Sequence, residues 1–200
     1  MAGSDGKVQL ISDEVAADDD FIVTAARPNT GATLANTAFA SGGARLLGVT
    51  TTGTGDNAKT NTIVGTDVFD NALTEIITST GSAEQVDGTK FFKTITSITS
   101  SAQFAANIKI GSLATAAQAV GGGARVRLRG YSIVSGGSAG IIEFIDGTPE
   151  SGTVLFKART IGTDNTTLDN TIPDEGILFK SGLSIRYTVG TIDMMNIFHG

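Results

Sequence analysis

Gly122-Gly123-Ala124-Arg125-Val126-Arg127-Leu128-Arg129-Gly130-Tyr131-Ser132-Ile133-Val134 follows a glycine run with strict alternation of charged and apolar residues. Successive side chains of a β-strand point to opposite faces, so Arg125, Arg127 and Arg129 share one face here and Val126 and Leu128 the other. The stretch therefore predicts a strand over residues 125–134 with one polar and one core-facing side.

Working outward, the opening Gly123-Ala124-Arg125 is matched by Gly43-Ala44-Arg45, a shift of 80. Phe92-Lys93 followed by Ser97-Ile98 returns as Phe179-Lys180 followed by Ser184-Ile185, a shift of 87, and Asn107-Ile108 with Gly111 returns as Asn196-Ile197 with Gly200, a shift of 89. Shifts that grow in chain order are what small insertions in a second copy would produce. The expected organisation is an N-terminal arm over residues 1–41, a β-module over 42–111, a linker over 112–121 and a second β-module over 122–200. Within the linker, Leu113 to Ala119 is Ala-rich and predicts a short helical turn.

Strands are expected at 45–51, 61–64, 73–78, 90–92, 94–99 and 106–110 in the first module. In the second they are expected at 125–134, 141–145, 153–159, 177–180, 183–189 and 194–198. Asp87-Gly88 and Asp146-Gly147 read as matching tight turns, since glycine supplies positive φ at little cost. The fold class that follows is all-β: two small related antiparallel β-sandwich or barrel modules with an extended N-terminal arm. Composition agrees. The 200 residues include 26 Gly, 28 Thr and 15 Ser, about a third of the chain, and β-branched and turn-forming residues favour sheet. Charged residues make up only 17% against 40% hydrophobic, too few charges and too many apolar groups for charge-driven disorder.

The inventory of reactive groups is short. With no Cys, disulfides, thiolate metal sites and cysteine nucleophiles are excluded. The single His, His199, lies one residue from the end, where a Ser/His/Asp triad or histidine metal site would depend on a fraying terminus. Acid pairs such as Asp67 with Asp70, Glu143 with Asp146, and Asp174 with Glu175 fall mostly in turn contexts, where carboxylates bond their own backbone. Asp18-Asp19-Asp20 and the Asp164–Asn170 loop offer oxygen ligands without calcium-loop spacing, and Gly121-Gly122-Gly123 precedes a strand rather than the helix of a phosphate loop. No catalytic residue, cofactor or metal is expected. No run approaches the ~18 apolar residues of a membrane span, and the opening lacks a signal-peptide pattern. The expectation is cytoplasmic synthesis and no membrane partner.

The net charge of −6 is concentrated in residues 1–41, where six acids face two bases, giving −4. This balance is the reverse of a nucleic-acid binder, and nucleic acid is not expected as a partner. Two surfaces are expected to make inter-subunit contacts. One is the arginine face, Arg125, Arg127 and Arg129. The other is the arm, with Asp18, Asp19 and Asp20 as its acidic element and Phe21, Ile22 and Val23 as an apolar anchor lying on another subunit or partner.

The stretches Val64-Gly65-Thr66-Asp67, Asn71 to Thr78, Gly88-Thr89-Lys90-Phe91-Phe92 and Ile95 to Thr99 resemble β-modules of tailed-bacteriophage structural proteins. Pro173 to Phe179 with Gly182-Leu183 is similar to accessory virion proteins of phages infecting marine bacteria and cyanobacteria. Together these stretches cover about half the chain. The resemblance implies a non-enzymatic virion protein, first of all a capsid decoration or cement protein. It would be a homo-oligomer, with a trimer favoured, bound to the major capsid protein lattice or to other virion proteins. A neck, tail or tail-fibre component is the alternative within that class, and a glycan-binding β-sandwich module the alternative outside it.

Overall fold

The computed structural model describes residues 6–13 and 15–200; residues 1–5 and Glu14, which belong to the expected arm, lie outside the described residues. In chain order the strands are β1 (Lys7–Ser12), β2 (Asp18–Ala26), β3 (Ala44–Thr51), β4 (Thr60–Thr66), β5 (Ala72–Thr78), β6 (Gln85–Phe92), β7 (Thr94–Ser100) and β8 (Ile108–Val120). A 3-10 turn over Gly121–Gly123 leads to β9 (Val126–Ser135), β10 (Ala139–Asp146), β11 (Thr153–Ile161), β12 (Thr167–Thr171), β13 (Ile177–Phe179), β14 (Leu183–Thr188) and β15 (Ile192–His199). The chain is all-β with antiparallel sheets, and among the described residues no helix is long and apolar enough to cross a membrane.

Two compact units form, one from residues 16–114 and one from residues 1–15 with 115–200. The first has the strand order β2-β8-β3-β6 in one sheet and β5-β4-β7 in the other. The second has β1-β15-β9 with β12 and β13 end to end along the far edge of β9, and β11-β10-β14 followed by the second half of β8. These orders coincide when β1, β9, β10, β11, β12 with β13, β14 and β15 replace β2, β3, β4, β5, β6, β7 and β8. The residues that carry the sequence repeat hold equivalent core places: Phe92 and Phe179 end β6 and β13, Ile98 and Ile185 lie in β7 and β14, and Ile108 and Ile197 in β8 and β15. All six are buried.

Each unit encloses its own apolar cluster. In the first, Ile22, Leu47, Ile63, Phe92, Ile98 and Phe104 meet between the sheets. In the second, Leu128, Ile133, Phe179, Ile185 and Ile197 do so, beside rings of Tyr131, Phe144 and Phe156 whose centroids are 5.4–5.8 Å apart. Each such aliphatic side chain stabilises the fold by about 1.5–3 kcal/mol through removal from water.

The unit boundaries differ from those expected. The described residues of the expected arm over 1–41 are not free: β1 pairs with β15 from Lys7↔His199 to Ser12↔Met194, β2 pairs with β8, and the following irregular segment bridges to β7 at Gly31↔Thr99 and Ala38↔Thr94. The physical reason is an edge requirement. β15 and β8 would each expose a row of unpaired backbone groups, and the alternating residues of the N-terminal segment supply the missing strands. The linker and its helical turn are replaced by β8, in which Ala116, Ala117 and Val120 are buried and Thr115 to Val120 pair with β14. Alanine favours helix only weakly, and two flanking strands override it. β8 is shared: residues 108–114 belong to the first unit and 115–120 to the second. At Gly111 an added Cβ would fall 2.0 Å from the Asp18 carbonyl oxygen, so only glycine lets β2 approach there.

Candidate functional site

On β9 the arginine alternation holds. Val126 and Leu128 are buried while Arg127 and Arg129 are half-exposed, and Arg125, just before the strand, is exposed. Compensation differs among the three. Arg127 Nη2 lies 3.0 Å from the carboxylate of Glu175, a residue of its own chain, and its backbone exchanges hydrogen bonds with Gly200. Arg125 and Arg129 make no ion pair among the described residues, and Arg129 Nε is buried without an acceptor. Arg45, the repeat counterpart of Arg125, has the opposite fate: it is buried, donates from Nε to the Leu113 carbonyl at 2.9 Å and stands over the Phe39 ring.

The outer face of the same sheet carries exposed apolar groups. Val8 (61% exposed) pairs with Phe198 (40%), Ser12 with Met194 (43%), and Leu10 (62%) lies between them, so four large apolar side chains line adjacent rows. Soluble chains seldom expose more than a few hundred Å² of contiguous apolar surface without a partner for it. His199, expected to fray, is instead strand-paired on both sides, to Lys7 and to Leu128, and buried. Burial, and then the Lys7 charge, hold its imidazole below the usual range.

Asp18, Asp19 and Asp20 open β2 with Asp18 and Asp19 exposed, and their carboxylate oxygens lie within 4.8 Å of one another. Lys109 is the cation they face, 3.0 Å from Asp19 and 4.0 Å from Asp20. Asp20 is pushed up chiefly by its hydrogen bond with Asp18, and Lys109 is pushed up chiefly by its hydrogen bond with Asp19. The expected apolar anchor is corrected: Ile22 and Val23 are buried in the core of their own unit and Phe21 stacks on Phe39 at 5.3 Å. Three consecutive residues of a strand leave a core only by unfolding it, so they are not a surface anchor.

Of the acids singled out as pairs in the sequence, Asp67, Asp70, Glu143, Asp146 and Glu175 are engaged in local structure. Asp67 accepts from the Phe69 and Asn71 backbones at 2.8 and 2.9 Å, Asp70 pairs with Lys93, and Asp146 accepts from Ser181 N at 2.6 Å. Glu143 bridges Lys157 Nζ at 2.8 Å and Arg186 Nε at 2.8 Å; burial pushes it up, but those two cations outweigh burial and hold it below the usual carboxylate range. Beside it Thr115, Ile141 and Thr188 line an open depression of about 420 Å³.

Two buried carboxylates were not singled out by sequence. Asp56, fully buried, accepts from Ala105 N at 2.6 Å, Ala106 N at 3.2 Å and Lys59 Nζ at 2.8 Å, which ties the β3–β4 loop to the β7–β8 loop at one end of the first unit. Burial pushes Asp56 up, and these donors together bring it below the usual value. Glu75 serves a bulge. Between Leu46↔Phe91 and Gly48↔Asp87, three β6 residues face the single β3 residue Leu47, and Glu75 accepts from Thr89 N at 2.6 Å and Lys90 N at 3.4 Å there. Asp87-Gly88 is therefore the interior of a strand and not a turn, whereas Asp146-Gly147 does end β10 in a turn with φ +105 at the glycine. At Gly88 a Cβ would sit 2.7 Å from Glu75 Oε2, so the residue is kept small by the carboxylate.

No protein-family model matches this sequence, and no curated protein matches it.

Proposed function

We propose that this chain is a non-enzymatic structural component of a virus particle, a capsid decoration or cement protein that assembles as a homo-oligomer, with a trimer favoured, on the major capsid protein lattice. The observation that supports this reading most is the outer face of the β1-β15-β9 sheet, where Val8, Leu10, Met194 and Phe198 stand exposed beside arginines. Such a face suits a protein partner, with apolar side chains to bury and guanidinium groups to pair with carboxylates. The deployment of acids is consistent with the same role, since Asp56, Glu75 and Glu143 are all engaged in holding strands and loops.

Quantitative mass spectrometry of purified particles tests the proposal. A copy number in proportion to the major capsid protein is expected for decoration. Only a few copies per particle would move the chain to the neck or tail, and absence from particles would overturn the virion reading.

A further inference from the structure

We propose that the arginine-bearing outer face of the β1-β15-β9 sheet receives the 15–20 segment of a second copy of this chain, in a head-to-tail contact. This deepens the homo-oligomeric part of the function proposed above and rests on it, while being independent of any capsid.

The argument begins with charge. Glu175 matches Arg127, which leaves Arg125 and Arg129 as two positive charges without an ion pair among the described residues. A two-fold pairing of this face with itself would bring like charges together, so its occupant must be acidic. Among the described residues Lys109 is the one cation that Asp18, Asp19 and Asp20 pair with, which leaves the three acids with negative charge in excess. The two surfaces carry charge of opposite sign.

Apolar surface matches as well. Val15 is 64% exposed and is followed by exposed Ala16 and Ala17 before the acids begin. This sequence of apolar and then acidic groups complements a face on which Val8, Leu10 and Phe198 adjoin arginines. Because the two contacting surfaces differ, each copy offers one of each, and association continues until it closes into a ring or runs on as a filament.

A charge exchange tests this by sedimentation velocity on the full chain without capsids. The unaltered chain should self-associate at low ionic strength and weaken by about tenfold or more at high salt, as screened charge pairs do. R125D/R129D alone and D18R/D19R alone should each be monomeric, because each presents like charge to like. Their equimolar mixture should associate again, since both contacts are then between opposite charges. Should either reversed chain misfold, R125Q/R129Q serves instead, with weaker association than the unaltered chain at low salt and equal association at high salt. An unaltered chain that stays monomeric at low salt, a reversed chain that associates alone, or a mixture no better than its parts would overturn the contact. Success here with absence from virions would retain the contact and dismiss the capsid role; the converse result would do the opposite.

Discussion

Replacing Asp56 should open the end of the first unit that its carboxylate closes. Asp56→Ala removes the acceptor of two backbone N–H groups, Ala105 and Ala106, and the counter-charge of Lys59, whose side chain is 21% exposed. Removing one partner of a buried pair costs roughly 3–5 kcal/mol. Partial solvation of Lys59 places the expected loss at the lower end, about 3 kcal/mol, and for a unit of this size that lowers the melting temperature by about 12–24 °C. Asp56→Asn keeps one acceptor and should lose less, yet it removes the titrating group. Because folding depresses this carboxyl, its contribution is complete above the unfolded pKa of about 3.9 and is lost as pH falls through the lower folded value. The stability gap between the unaltered chain and Asp56→Asn should therefore be flat above about pH 5 and narrow below about pH 4. Urea titrations at several pH values, with hydrogen exchange at Ala105 and Ala106, measure both effects. A loss under about 1 kcal/mol for Asp56→Ala, typical of a surface pair, would refute the assignment of Asp56 as the tie between these loops.

Gly88→Ala should destabilise the first unit by about 1–3 kcal/mol by displacing Glu75 from Thr89 N, and its effect should be non-additive with Glu75→Gln in a double-mutant cycle monitored by urea unfolding. Deleting residues 1–23 removes β1, most of β2 and the buried Ile11, Ile22 and Val23, so both units should lose cooperative unfolding in calorimetry; two sharp transitions would show that the segment is dispensable.

The repeat was legible because it falls on core positions, where the identity of Phe92 and Phe179 or of Ile108 and Ile197 is constrained by packing. Strands with alternating apolar residues, such as β4 and β9, were readable for the same reason. β8 was not, as a run of Ala, Ser and Thr becomes a strand only through the neighbours it meets. β5 inverts the usual pattern, with Glu75 directed inward and Ile76 outward at 61% exposure, and the reason lies in a bulge more than ten residues away in β6. The arginine face was visible as a face, but Glu175 as the partner of Arg127 depends on the turn between β12 and β13, which no local spacing encodes. The same holds for Phe21 to Val23, whose apolar character was plain and whose destination was not.

The placement of β1 has a consequence for how the chain comes off the ribosome. Lys7 to Ser12 are made well before their partner, β15, which follows them by more than 180 residues. At a synthesis rate of roughly 5–20 residues per second, β1 waits about 10–40 s with Val8 and Leu10 unpaired. During that interval β2 acquires its partner earlier, as soon as β8 emerges, so the unit of residues 16–114 can complete itself while its N-terminal neighbour is still open. The second unit is sealed only once β15 has emerged, and a nascent chain stalled short of it would leave β1 without a partner and one edge of β9 open.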